Sequence, residues 1–206
     1  MNDKIKFEGF PKIPRLQAQV IVTEKIDGTN CFVQITHDGD FLLGSKNRFL
    51  FADKGKKSDN EGFAKWAVAN KQELVKLGVG KHFGEWCGKG LGEMKDGIRR
   101  DYGLEEKKFV LFDTHKWNDE NKPNCCEVVP VLYSGFFCTE KIKQVMDNLK
   151  ENGSQFVKGY MNPEGIVIYH TGSKQLYKKT FSYDETGKII GEELYKKLNL
   201  NGEKNK

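Results

Sequence analysis

The apolar run Val20-Ile21-Val22 feeds straight into Thr23-Glu24-Lys25-Ile26-Asp27-Gly28-Thr29-Asn30, and this junction constrains the chain more than any other stretch. A short apolar run bounded by a turn signal reads as a buried strand, and Asp-Gly reads as the turn that stops it. Cys31-Phe32-Val33-Gln34-Ile35 returns as a second strand. Lys25 is thereby set at a strand end, facing the cleft that the turn borders. A lysine becomes a nucleophile when its pKa falls from about 10.4 towards neutrality, which needs burial or nearby cations. Lys-x-Asp-Gly alone is short and built from common residues, and it also fits a surface lysine beside an ordinary hairpin. The rest of the chain decides between them.

The strand signal repeats. Residues 1–19, with Pro11 and Pro14, read as an extended lead-in. Phe41-Leu42-Leu43-Gly44-Ser45 follows the turn His37-Asp38-Gly39-Asp40 as a third strand, and Asp53 to Asn60 reads as a lysine- and glycine-rich loop. Helical spacing of Phe63, Trp66, Ala67, Leu74 and Leu77 predicts a helix from Glu61 to Leu77, stopped by Gly78 and Gly80. Lys81 to Gly88 and Lys108 to Asp113 read as strands, separated by a glycine-rich loop over 89–103. Trp117 to Asn124 reads as loop and Glu127 to Leu132 as a short strand. Thr139 to Leu149 predicts a helix with Thr139 as N-cap and Ile142, Val145, Met146 and Leu149 on its apolar side. Glu164 to His170, the turn Thr171 to Lys174, and Gln175 to Ser182 form the last hairpin, and Glu192 to Leu198 a short helix. The economical reading is one α+β domain built on antiparallel strands with flanking helices.

Composition narrows the function classes. The 206 residues suffice for one packed domain, and the net charge of +5 is compatible with a polyanionic partner. Cys31, Cys87, Cys125, Cys126 and Cys138 are odd in number and lack Cys-x-x-Cys spacing. That argues against a disulfide framework and a structural zinc site, and points to free thiols in a reducing compartment, the cytoplasm. The N-terminus has no signal-peptide pattern, and no apolar run nears the roughly 20 residues that span a bilayer, so no membrane partner is expected.

Groups able to do chemistry sit at the predicted strand ends: Lys25, Glu85, Phe112, Glu164, and Lys178 or Lys179. A carboxylate beside glycines at a strand end is costly unless paired or hydrated. Hairpin register decides between the two lysines. With Gly172-Ser173 as the loop, Glu164 shares a face with Lys179; a three-residue loop puts Lys178 there instead.

Glu24-Lys25-Ile26-Asp27-Gly28-Thr29-Asn30, Gly84-Glu85-Trp86, Val110-Leu111-Phe112-Asp113, Glu164-Gly165-Ile166-Val167 and Leu176-Tyr177-Lys178-Lys179 occur in that order. Over residues 20–182 this resembles the covalent nucleotidyltransferase superfamily of polynucleotide ligases and mRNA capping enzymes. Asp-Gly-Thr-Asn after the lysine looks most like its ATP-dependent RNA ligase branch. The resemblance implies an adenylyltransferase domain with twisted antiparallel sheets around a nucleotide cleft, spanning 1–190. Residues 191–206 would be a short helix and polar tail, with no separate C-terminal domain.

It further implies that Lys25 attacks the α-phosphate of ATP to give lysyl-AMP. AMP would pass to an RNA 5′-phosphate, and a 3′-hydroxyl would then seal the strand. Glu85 would contact the ribose, Phe112 would stack on adenine, and Glu164 would hold Mg2+ or Mn2+. Lys178 or Lys179 would contact the α-phosphate. Glu24 is a supporting carboxylate and Ile26 an apolar spacer within the nucleotide-binding set. Arg48 would contact the nucleotide or the 5′-phosphate, and Asn30 would engage the nucleic-acid end. Lys46, Lys54, Lys56, Lys57, Arg99 and Arg100 are further candidates to grip nucleic acid. The adjacent Lys178-Lys179 departs from the family's Lys-x-Lys. Rival readings are a DNA ligase, a GTP-using capping guanylyltransferase, and a non-catalytic nucleic-acid-binding module.

Overall fold

A computed structural model describes residues 9–91 and 100–181. The expected helix Glu192 to Leu198, the 191–206 tail and Arg99 lie outside them. The described residues form two sheets, each with one face covered by helix. Strands β1 (Gln19–Glu24), β7 (Val131–Phe136), β8 (Gly165–His170) and β9 (Gln175–Thr180) make a four-stranded sheet in the order β7-β1-β8-β9. Strands β2 (Thr29–Ile35), β3 (Phe41–Ser45), β4 (Gly80–Cys87), β5 (Lys108–Leu111) and β6 (Cys126–Val128) make a five-stranded sheet in the order β3-β2-β4-β5-β6. Pairing is antiparallel except between β5 and β6, which run parallel.

The alternation of β1 sends Val20, Val22 and Glu24 to one buried face. Val20 and Val22 join Ile166 and Ile168 of β8 against Ile142, Met146 and Leu149 of helix α4 (Thr139–Asn152). Those three helical residues recur at the spacing that lines one helix face. On the second sheet, Cys31, Val33, Leu43, Trp86, Phe109 and Leu111 pack against Phe63, Ala64, Ala67, Leu74 and Leu77. A third cluster packs Ile26, Tyr102 and Val129 from connecting segments against Cys87 of β4 and Val110 of β5. Burying a side chain of Leu, Ile or Phe size stabilises by roughly 1.5–3 kcal/mol, so each cluster anchors its sheet firmly.

Three local expectations change. First, β1 and β2 are not a hairpin: they belong to different sheets, and Lys25 to Gly28 carries the chain between them. Second, the predicted helix Glu61–Leu77 is a set of short pieces. These are α2 (Phe63–Ala69), α3 (Lys71–Leu74) and a 3₁₀ turn (Val75–Leu77), preceded by α1 (Lys56–Asp59) inside the expected loop. Asn60, Glu61 and Gly62 all have left-handed backbones, which delays the helix start, and Asn70 Nδ2 donates to the Trp66 carbonyl where α2 stops. Third, Cys138, not Thr139, is the N-cap of α4, in an extended conformation without a side-chain capping bond. Glu127 to Leu132 also divides between β6 and β7. Among the described residues no helix is long and apolar enough to cross a membrane.

Candidate active site

The pairing of β1 with β8 continues one residue past β1, where the Lys25 N–H donates to the Gly165 carbonyl at 2.9 Å. This brings two side chains 139 residues apart into contact: Lys25 Nζ donates to Glu164 Oε2 at 2.6 Å. Both are largely covered, with side-chain exposures of 23% and 16%, so neither faces bulk solvent. Gly165 makes the approach possible. Its φ is +146°, and a Cβ there would lie 2.2 Å from the Lys179 carbonyl oxygen. On the β9 side, the Phe181 N–H donates to the Glu164 carbonyl.

Glu24 points the other way. It is 1% exposed, and its carboxylate accepts from Ser154 Oγ at 2.6 Å and from the Gln155 and Phe156 N–H groups at 2.7 and 3.0 Å. Burial raises its pKa above the usual carboxylate value, while these hydrogen bonds oppose the shift. Glu24 is the expected supporting carboxylate of the nucleotide-binding set, and its oxygens bond the 154–156 turn. It braces the strand that ends at Lys25 from behind. Ile26, the expected apolar spacer, is buried in the cluster between the sheets.

The crossover itself is held by Asp27, Arg100 and Tyr102, of which the sequence did not single out Tyr102. The Asp27 N–H donates to Tyr102 Oη at 2.7 Å, and Asp27 Oδ2 accepts from Arg100 Nη1 at 2.9 Å and from the Arg100 N–H at 3.2 Å. Tyr102 is fully buried in a left-handed conformation, and burial pushes its hydroxyl pKa upwards. Gly28 is needed for close approach, because a Cβ there would sit 2.3 Å from the Trp86 carbonyl oxygen. Arg100 also donates from Nε to the Asn162 carbonyl. Its Nε and Nη1 are thus engaged within the fold. An isolated tyrosine in a glycine-rich stretch carries no sequence signal for this role.

From Thr29 the chain runs along the second sheet, and strand pairing sets Asn30 opposite Glu85, with Glu85 opposite Val110. Phe112 lies just past β5, where its N–H donates to the Phe83 carbonyl; at 38% exposed, it is not a core residue. Glu85, Phe83 and Phe112 thus share the face opposite the one that carries Trp86 and Leu111 into the core. Arg48 sits in the turn after β3, its Nη2 donating to the Lys57 carbonyl at 2.7 Å, and Lys46 is exposed beside it.

The β8–β9 register pairs His170 with Gln175 and Val167 with Lys178, the register of a turn centred on Gly172-Ser173. Unbroken alternation would set Glu164 with Lys179. Instead the left-handed Gly165 breaks the alternation, and the Glu164 carboxylate reaches Lys25. Val167 is opposite both Thr23 and Lys178, so Lys178 shares the face of Thr23 and, two residues on, Lys25. Lys179 stands opposite the buried Ile166. Two open hollows of about 510 and 560 Å³ share Pro130, Val131 and Gln155, and neither is lined by Lys25, Glu85 or Glu164.

Lys25 and Glu164 pair at the end of one sheet, and Glu85 and the exposed Phe112 lie on the other. The chain belongs to the RNA ligase family, whose model matches residues 18–190. No curated protein matches it by sequence. Among solved structures it is similar to Naegleria gruberi RNA ligase. An ATP- and manganese-bound variant gives a TM-score of 0.55 at 20% identity, covering 83% of this chain and 52% of that one. A variant without ligand gives 0.54 at 19% identity, with coverages of 82% and 51%. A pyrophosphate complex gives 0.53 at 19% identity, with coverages of 84% and 52%. These likenesses establish the fold, and the chain spans about half the length of those ligases.

Proposed function

We propose that this chain is an ATP-dependent RNA ligase that works through a lysyl-AMP intermediate on Lys25. The observation that carries the reading is the Lys25–Glu164 contact at 2.6 Å, made by the two most specific motifs in a chain of the RNA ligase family. The manganese-bound forms of the Naegleria ligase support use of ATP with a divalent metal.

Lys25 Nζ, once it has given up a proton to solvent, attacks the α-phosphorus of ATP; a phosphoramidate P–N bond forms as the P–O bond to pyrophosphate breaks, and pyrophosphate leaves. The RNA 5′-phosphate oxygen then attacks the same phosphorus. The P–N bond breaks, Nζ takes back a proton, and a 5′-adenylylated end results. Attack of the 3′-hydroxyl on the RNA phosphorus forms the phosphodiester and expels AMP. Charge develops on the transferred phosphoryl oxygens throughout, so Lys178, on the face of Lys25, is the suited cation. Glu85 and Phe112 supply ribose contact and adenine stacking on the opposing sheet, and Asn30 and Arg48 the contacts to the RNA end.

The residues present fit a hard divalent ion. Among the described residues no cluster of three or more His, Cys, Asp or Glu exists, so Glu164 supplies a single carboxylate. That suits Mg2+ or Mn2+, which keep waters and substrate phosphates as their other ligands. Bound there, the ion would neutralise phosphate charge. Incubation with ATP labelled at the α-phosphate and Mg2+ or Mn2+ tests the reading. Wild type is expected to retain label and pass it to 5′-phosphorylated RNA, whereas Lys25→Ala is expected to retain none. Equal labelling of the two proteins would refute it.

A further inference from the structure

A row of aromatic side chains crosses the five-stranded sheet on the face that carries Glu85. Phe112 lies beside Phe83 through a backbone bond, Phe83 is opposite Phe32, Phe32 is opposite Gly44, and Gly44 bridges to Phe49. The four rings therefore lie along one line at right angles to the strands. At about 4.8 Å per strand the line runs roughly 19 Å. Phe32 is the pedestal. It is 4% exposed, its ring fills the space where Gly44 would carry a Cβ, and it meets Phe83 and Phe49 edge to face at 5.7 and 6.1 Å. Phe83 and Phe49 themselves are 44% and 54% exposed. Lys81 lies over this group, its Nζ 3.7 Å from the Phe32 ring centre and 5.0 Å from that of Phe83.

Three exposed phenylalanines in one line are unusual on a face left open to water, because scattered apolar side chains are the norm there. Lys81, with Lys46 and Arg48 beside Phe49, gives the row positive charge. Its Phe112 end continues the proposed nucleotide site, and Asn30 stands two residues before Phe32 on the same face. Aromatic faces interleaved with cations bind unpaired nucleotides: bases stack on the rings and phosphates meet the cations.

We infer that Phe83 and Phe49, supported by Phe32 and Lys81, form a stacking platform for unpaired bases of the RNA strand next to the reactive end. The inference rests on the ligase reading for its occupant and adds where the strand lies. It predicts a preference for single-stranded ends over blunt duplex.

The test uses the whole chain and a fluorescent single-stranded oligoribonucleotide lacking a 5′-phosphate, followed by anisotropy, with a blunt RNA duplex in parallel. Phe49→Ala and Phe83→Ala should each weaken single-strand binding roughly tenfold. Phe49→Trp should retain it, and Phe136→Ala, on the edge strand β7, should leave it unchanged. Lys81→Ala should lower the slope of log affinity against log salt by about one. Equal single-strand affinity in wild type, Phe49→Ala and Phe83→Ala would overturn the inference. So would a wild-type dimer in sedimentation that Phe49→Ala converts to monomer, which would make this face a contact between copies. Adenylation is scored separately: wild type that binds RNA through these rings but takes no label refutes the ligase reading and leaves the platform standing.

Discussion

Removing the Glu24 carboxylate tests the architecture behind Lys25. In Glu24→Ala the part-buried Gln155 N–H and the buried Ser154 Oγ lose their acceptor, while the Phe156 N–H keeps Ser154 Oγ at 3.1 Å. An unsatisfied buried donor costs about 1–3 kcal/mol, and with one backbone group orphaned the loss is placed at about 1–3 kcal/mol. Glu24→Gln keeps one oxygen for the backbone pair, and the Ser154 hydroxyl can turn to accept from the new amide. That variant should lose no more than about 1 kcal/mol, because it removes the desolvated charge while keeping an acceptor for the backbone. Urea unfolding followed by circular dichroism measures both. The pH dependence carries an independent sign. Because burial raises the Glu24 pKa in the folded state, this group's contribution is fully present below the unfolded value of 4.5. It declines as pH rises through the folded value. The stability of wild type relative to Glu24→Gln should therefore fall as pH rises from about 4.5, the unfolded value. A Glu24→Ala variant within about 0.5 kcal/mol of wild type, the range of ordinary surface changes, would refute the bracing role.

Gly28→Ala must move the Trp86 carbonyl, which lies 2.3 Å from the new Cβ, and should destabilise by about 1–3 kcal/mol in thermal or urea unfolding. Tyr102→Phe strips the Asp27 N–H of its acceptor and should cost a similar ~1–3 kcal/mol by the same assay, with adenylation reduced because Asp27 lies two residues from Lys25. Glu164→Gln leaves the largely covered Lys25 ammonium without its carboxylate and should destabilise by about 1–3 kcal/mol, and it should abolish metal-dependent labelling from ATP. Lys178→Ala should slow self-adenylation far more than Lys179→Ala, measured as initial labelling rates.

The motif strands were legible because each is a short apolar run closed by turn residues, and period-two burial follows directly from such runs. Lys25 and Glu164 were identifiable as chemistry, but their contact depends on which strands pair across 139 residues, which no local pattern encodes. The hairpin expected at Asp27-Gly28 failed for a related reason: a glycine serves a tight turn and a close backbone approach equally well, and here it serves the approach to Trp86. Helical spacing over Glu61–Leu77 was correct for burial and wrong for continuity, because apolar periodicity does not register the left-handed residues at 60–62 or the Asn70 stop. The basic residues divided by their partners. Arg100 has a buried carboxylate to hold, whereas the exposed Lys46 does not, and a charge in sequence does not reveal its counter-charge.

The central claim is that one amine accepts the adenylyl group, and peptide mass spectrometry of the protein after exposure to ATP and Mg2+ tests it most directly. The account predicts a single adenylyl adduct, on the peptide containing Lys25 and at that side chain. An adduct on another residue, or none in protein shown by circular dichroism to be folded, would contradict it.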